Sequence, residues 1–514
     1  MIRFRRARAA IAAASALALI STIGAAAHMA SGAGKPTLTI GLSVGPASLD
    51  PSKDGNGQSS IAHILSNATI TRLNADGSIV GDLASSFHYV GSGNKVFEFT
   101  IRPDARFSDG SRVTASAVAS WLQYFSKSNS VFVSNMGKIA SIATPGPRTV
   151  RLTLQTPNPI VPLVLSQVFN WGYVSSPRSL ANPAAMASNT FGAGPYALVP
   201  SESVTGDHYT YVPNKFYFAK SKVHFSKVIV KVISTPASML AAATAGQVDV
   251  GIGDASTADA AAKSSALKVI HTPIGYDAVF LLDRGGVVAK PLGDVRVRQA
   301  LNYAVDRAAI TKALVGKYGH PTSQAPSADS FRTRLDNYYK YDPAKAKALL
   351  AQAGYANGFK LDILTFPAGN LGDPFVQAVA KYLQAVGVNV NVTSPTSVGE
   401  YIGDLFSGKF PAATLPQFAL PMWLTYQQNV KPKAILNPFG ASDPVANELF
   451  VKAQRLTTRQ GLPYWQKMSE RLTTNAWSLP VFDYDYIFYV SKHVAGVKVT
   501  TEGYGSDPTV WTKQ

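Results

Sequence analysis

The 514-residue chain contains no cysteine. No disulfide can staple it, no thiolate metal centre can form, and the thiol that carries a bacterial lipid anchor is missing. Charge is sparse as well, at 15% of residues against about 25% in ordinary globular chains. The eight histidines are scattered with no pair at i, i+4, so no helical zinc or nickel site is expected. H-E-x-x-H is absent. Ser265 to Lys268 (SALK) matches S-x-x-K, but no KTG partner accompanies it, and two fixed positions in four arise by chance. Internal repeats and low-complexity linkers, which an adhesive envelope protein would need, are also missing. These gaps weigh against a secreted hydrolase, the main rival class, and against a structural envelope protein.

What is present begins with an export signal. MIRFRRAR carries four arginines and is followed by AAIAAASALALISTIGAAA, an apolar run ending in small residues. Cleavage is expected after Ala27 or Ala30. Arg5-Arg6 permits a twin-arginine route, although FRRARAA matches that pattern poorly and ordinary secretion is favoured. No later stretch approaches the roughly 18 uninterrupted apolar residues of a membrane-spanning helix, so a periplasmic protein is expected. Removing the four arginines takes the formal +18 to about +14. The remaining basic residues are dispersed, and the one cluster, Lys340 to Lys347, reads as a solvated helix start, not a nucleic-acid patch.

At 46% hydrophobic residues, the chain can bury large cores and is too long for a single one. Thr37 to Val44 alternates like a strand, and Asp-Gly and Ser-Gly turns then separate the short strands of an antiparallel meander. Thr114 or Ser116 can cap a helix whose Val118, Trp121, Leu122 and Phe125 share one face. FGAGPYALVP forces a sharp backbone course and reads as a crossing between domains; a phosphate cradle would need the Walker lysine and a following helix. Lys227 to Ser234, a helix around Met239 to Ala245, and QVDVGIG form a strand-helix-strand unit of a parallel sheet, with Asp249 as a turn residue. Helix and strand alternate again beyond GGVVAKPLGD, with one helix from Pro374 to Val386.

PLGDVRVRQALNYAVDRAAI, Pro291 to Ile310, reads as a scaffold helix. Asp294 is its N-cap, worth about 1 kcal/mol. Val297, Leu301, Ala304 and Ala308 make an apolar seam, Arg298 and Asn302 share another face, and Asp306 lies within reach of Asn302 or a neighbouring lobe.

LTIGLSVGPASLDPS, GDLASSFHYVGSGNKVFEFTIRPDARFSDGSRVTASAV, FGAGPYALV, the Pro291 to Ile310 stretch and YDPAKAKALLAQAGYANGF resemble, in order, the bacterial extracellular solute-binding proteins of family 5, the peptide, opine and nickel receptors of ABC importers. The resemblance implies an α/β, two-lobed fold of the periplasmic-binding-protein type (class II), with an extra subdomain in the first lobe. Lobe I would comprise 36–73, 195–275 and 480–514, its subdomain 74–194, and lobe II 276–479, with 1–30 as signal peptide. It implies a monomeric receptor that takes no cofactor, performs no chemistry and binds no nucleic acid. Such a receptor captures a peptide or peptide-like solute between its lobes and presents it to a permease. An opine or oligosaccharide is the other ligand class. Many peptide receptors of the family place Ala-Asp-Tyr-Pro-Asp-Pro near the cleft, where an acid meets the peptide ammonium. This chain has no carboxylate from Thr414 to Phe439, which argues against a free peptide N-terminus as ligand unless Asp283 or Asp404 replaces that acid. Phe418, Trp423 and Tyr426 lie in the matching segment, Tyr276 just after the first crossing, and Asn170 and Trp171 are candidates from the first lobe. Core packing accounts for each of these aromatic residues equally well.

Overall fold

A computed structural model describes residues 34–55, 57–325, 327, 329–367, 372–499 and 507–514; the export segment lies outside them. Twelve strands make the principal sheet: β1 (Thr37–Leu42), β2 (Tyr196–Leu198), β3 (His208–Pro213), β4 (Lys227–Val232), β5 (Val250–Ile252), β6 (Leu267–Leu281), β7 (Gly319–Pro321), β8 (Phe359–Leu364), β9 (Val388–Thr393), β10 (Ala412–Thr414), β11 (Gln417–Phe418) and β12 (Ser478–Ser491). Their order is β9-β8-β10-β6-β12-β5-β1-β4-β3-β2, with β11 added beside β6 and β7 beside β12. The helices used below are α1 (Ser60–Ser66), α2 (Ala115–Ser126), α3 (Ala255–Ala262), α4 (Val295–Tyr303), α5 (Arg307–Leu314), α6 (Gly372–Gln384), α7 (Val398–Phe406), α8 (Met422–Thr425), α9 (Pro444–Ala453) and α10 (Thr458–Thr474).

The two lobes are joined by the long antiparallel pair β6 and β12. At one end of β12, Leu479, Val481 and Phe482 enter a core with Val297, Leu301, Leu361 and Phe375. At the other end, Phe488 and Val490 enter a core with Leu38, Ile40, Val228 and Val250. Between them Asp483 to Tyr486 are only half-buried. Ser478–Ser491 is therefore one strand that serves both lobes, where the resemblance assigned 480–514 to the first lobe alone; the short strands Val494–Ala495 and Thr512–Lys513 follow it. Register shifts at Pro273/Gly275 and Asp277/Ala278 interrupt the pair where the lobes meet; such bulges bend a strand and re-aim its side chains.

The first lobe also carries a four-stranded antiparallel sheet, in the order Ala84–Tyr89, Val96–Ile101, Thr149–Leu154, Ile139–Ala143. Helix α2 packs against it as the spacing predicts: the Thr114 hydroxyl accepts the Ala117 N–H at 3.2 Å, and Val118, Trp121, Leu122 and Phe125 are fully buried. In FGAGPYALVP, Gly192 and Gly194 lie so close to Ser66 and Asn67 at the end of α1 that a Cβ at either would collide with backbone. The Asp249 carboxylate accepts the Thr39 N–H at 2.8 Å and a Lys513 ammonium proton, a tie within the first lobe.

The Pro291 to Ile310 stretch differs from its sequence reading in one respect: it forms two helices, not one. Asp294 caps α4 by accepting the Arg296 N–H at 2.8 Å. Asp306, expected to pair with Asn302 or a neighbouring lobe, instead caps α5 through the Ala309 N–H at 3.0 Å. The break rotates Ala308 out of the seam to an exposed position, while Val297, Leu301 and Ala304 remain buried.

Candidate functional site in the interlobe crevice

Strand direction locates the crevice. In the first lobe β1, β4 and β5 run parallel, and β5 pairs antiparallel with β12, Ile252 opposite Phe488. In the second lobe β8, β9 and β10 run parallel, and β10 pairs antiparallel with β6, Thr414 opposite Val279. The carboxyl ends of both parallel sets therefore point at the same place, Ile274 to Asp277 on β6 and Asp483 to Tyr486 on β12. Open α/β sheets bind ligands outside the carboxyl ends of their strands, and here two such edges face each other.

The strands that carry Tyr276 and Phe418 pair at this place, with the two side chains on opposite faces. β11 lies beside β6 with Gly275 opposite Phe418 and Tyr276 opposite Gln417, and the Ala419 N–H donates to the Ile274 carbonyl at 2.8 Å. Tyr276 is buried and Phe418 half-buried. Burial raises the Tyr276 hydroxyl pKa, so that hydroxyl stays neutral. Gly275 is required locally, since a Cβ there would meet the Gln417 carbonyl and the Tyr484 hydroxyl.

The other candidates lie in packed walls. Trp423 is buried near Phe450, and Tyr426 stacks on the Phe450 ring with centroids 3.7 Å apart while its hydroxyl donates to Asn447 Oδ1 at 2.8 Å. Trp171 is buried with its indole N–H donating to the Phe132 carbonyl, and it accepts the Trp121 indole N–H at 3.0 Å. Asn170 donates to the Pro51 and Asp54 carbonyls. Asp283 has no exposed surface, and its carboxylate accepts the N–H groups of Val287, Val288 and Ala289, each at 2.7 Å. That carboxylate organises its own loop, so the ammonium role considered for it has backbone donors already in place. Asp404 is half-buried on α7.

Sequence reasoning passed over the acids of the joining strands. Asp483 accepts the His320 N–H at 2.8 Å, with the imidazole Nδ1 at 3.0 Å, and Asp485 pairs with His271. Burial raises the Asp483 pKa, with His320 acting against the shift. Asp277 is 6% exposed, and no hydrogen-bond or ion-pair partner accompanies it among the described residues. Burial pushes its pKa up to about 7. The available signal was a lone carboxylate inside the apolar run IGYDAVFLL, since a buried strand carries an unpaired charge only at a cost of several kcal/mol. Among the described residues no group of three or more His, Asp or Glu could hold a metal ion, and no helix is long and apolar enough to cross a membrane.

The family model for bacterial extracellular solute-binding proteins, family 5, middle region, matches residues 78–442. A Brucella ovis protein named for peptide binding in an ABC transporter is 29% identical over 331 residues, 62% of this chain and 61% of its own; the match thus spans less than two thirds of that relative. In fold, the chain is similar to AgaA of Agrobacterium tumefaciens R10, solved with agropinic acid, at a TM-score of 0.78 and 23% identity over 93% of this chain and 99% of the other. It is also similar to HbpA2 of Haemophilus parasuis, at a TM-score of 0.79 and 19% identity over 93% and 100%.

Proposed function

The chain belongs to family 5 of the bacterial extracellular solute-binding proteins, and from that premise we propose that it is the extracytoplasmic receptor of an ABC importer. Its lobes close on a small peptide or peptide-like solute and deliver it to the permease. The observation that carries this reading is the convergence of two sets of strand carboxyl ends on a crevice crossed by only β6 and β12 among the described strands. Two bulged strands can bend where the lobes meet, so binding is converted into a change of outer shape. Tyr276 and Phe418 form the crevice floor in this reading, and Asn170, Trp171, Trp423, Tyr426 and Asp283 support its walls.

The receptor binds and releases its solute unchanged. Ser265 is exposed, and turnover of peptide or ester substrates at a rate that tracks Ser265 would replace this reading with the hydrolase one. Ligand class is tested by mass spectrometry of what co-purifies, followed by thermal shift with di- to hexapeptides, opines and oligosaccharides. A ligand at about 100 times its Kd adds about 2.7 kcal/mol of stability. Stabilisation by a sugar or opine and by no peptide would remove the peptide assignment.

A further inference from the structure

We propose that Asp277 receives a positively charged ammonium group of the bound solute. The inference rests on the receptor reading above and names the chemistry its ligand must carry.

Alternation along β6 puts Asp277 on the face of Val279 and Leu281, both in the second-lobe core, and one step nearer the first lobe. Thr414, opposite Val279, lies on the same face at the carboxyl end of β10, its hydroxyl 3.1 Å from that of Thr365 just past β8. Ala255 at the start of first-lobe helix α3 and Tyr484 pack partly buried against the same core. The carboxylate thus stands at the carboxyl edge of the second lobe's parallel strands, beside Tyr484 and a bulge in the joining strand.

Among the described residues the groups around it supply no counter-ion. Tyr276 on its own strand and Tyr484 on β12 are neutral phenols, their pKa values raised by burial. Asp483 and Asp485 on β12 are paired with His320 on β7 and His271 on β6. Asp254 caps α3. The buried guanidinium of Arg307 donates to the Pro480 carbonyl, opposite Ala278, and its other donors also go to oxygens of its own lobe. A carboxylate with no donor among the described residues, beside the Tyr484 phenol, suits an alkylammonium, which gains an ion pair and a ring contact together. Its raised pKa adds a signature: at pH 7 a cation must expel a proton from the fraction of Asp277 that is protonated.

The test offers the mature protein a casein hydrolysate of di- to hexapeptides, either untreated or N-acetylated, and reads capture by native mass spectrometry for wild type, Asp277→Asn and Asp277→Ser. Titration calorimetry of the captured species, in buffers of different ionisation enthalpy, then counts protons released. Wild type is expected to capture free amines and to leave acetylated peptides. Its affinity should rise about fivefold from pH 6 to pH 7, below the range in which the peptide amine itself deprotonates, with a fraction of a proton released at pH 7. Both variants should bind at least 30-fold more weakly without proton release, while melting no lower than wild type at pH 8. Equal capture of acetylated peptides, or undiminished binding by folded variants, overturns the role of Asp277 and leaves the receptor reading standing. Proton release that is the same in wild type and Asp277→Asn does so too. Capture of nothing from either hydrolysate by wild type takes down the peptide reading itself, and this inference with it.

Discussion

Arg72 in the first lobe and Arg307 in the second are buried to the same degree, 8% and 6% exposed, yet their charges are accommodated in opposite ways. Arg72 is ion-paired with Asp82 and Asp507; burial opposes its charge, but the two carboxylates outweigh that and raise its pKa. Arg307 meets no carboxylate among the described residues. Its guanidinium donates to five acceptors, the carbonyls of Thr322, Pro480, Asn302 and Tyr339 and the Asn302 side chain, and burial lowers its pKa to about 10, which leaves it charged at neutral pH. Arg298 and Arg284 follow the second pattern: Arg298 gathers the carbonyls of Leu292, Asn475 and Ala476, and Arg284 those of Leu281, Asn429, Leu436 and Trp477. The first lobe joins distant segments by charge pairing. In the second lobe, guanidiniums collect the orphan carbonyls of helix ends and strand starts, where no N–H is available.

The comparison predicts unequal damage. Arg307→Met should cost the most, about 4–5 kcal/mol in chemical denaturation, because five acceptors on four segments lose their donors together. Arg307→Lys should restore only a minor part, since three donors on a flexible stem cannot reproduce a planar fork. Arg72→Met should cost about 3 kcal/mol, because it leaves two largely buried carboxylates without a cation. Most of that loss should return in the triple variant Arg72→Met, Asp82→Asn, Asp507→Asn, for which no counterpart exists at Arg307. If the triple variant stays as unstable as the single one, the first-lobe cluster is not held by charge pairing.

How legible these features were in sequence depends on the range of the interaction. Helix α2, with its Thr114 cap and its Trp121 face, follows from spacing that is local to one segment. The lysines of KYDPAKAK are local in the same sense: Asp342 caps the helix through the Lys345 N–H at 2.8 Å, and Lys340, Lys345 and Lys347 are exposed, with the Lys345 ammonium over the Tyr303 ring. Arg298 and Asn302 read as one face of a scaffold helix, and so they are, but their targets, Asn475 and Ala476 for the arginine and Ser478 for the asparagine, lie some 175 residues away. The break before Arg307 was hidden because Asp306 fits a helix interior and an N-cap equally well by composition, and only the turn of the chain at Ala304 decides between them. Tyr276 and Phe418 were selected by resemblance, and strand pairing brings their backbones to one edge of the crevice. Trp171 and Trp423 were selected in the same way and lie in walls, because indole rings serve cores and ligands alike. Asp277 needed no resemblance at all, only the observation that an acid interrupts a buried strand.

The smallest predicted effect tests how the lobes meet away from β6 and β12. Asn94, at the tip of the hairpin between Ala84–Tyr89 and Val96–Ile101, adopts φ 54°, a conformation that asparagine and glycine tolerate better than other residues. From there its side-chain amide donates to the Gln454 carbonyl at 3.0 Å and the Leu456 carbonyl at 2.8 Å, beyond the end of α9 in the second lobe. Asn94→Gly keeps the backbone conformation and removes both bonds, so its effect reports the contact and not the turn. Because these bonds link the hairpin to the opposite lobe, their loss should favour the open arrangement by about 1 kcal/mol, roughly a fivefold weaker apparent affinity for whichever solute is captured. The melting temperature of the solute-free protein should change little. Asn94→Ala, which also strains the turn, should lower the melting temperature as well as the affinity. If Asn94→Gly loses stability and not affinity, the contact belongs to the resting fold and not to closure.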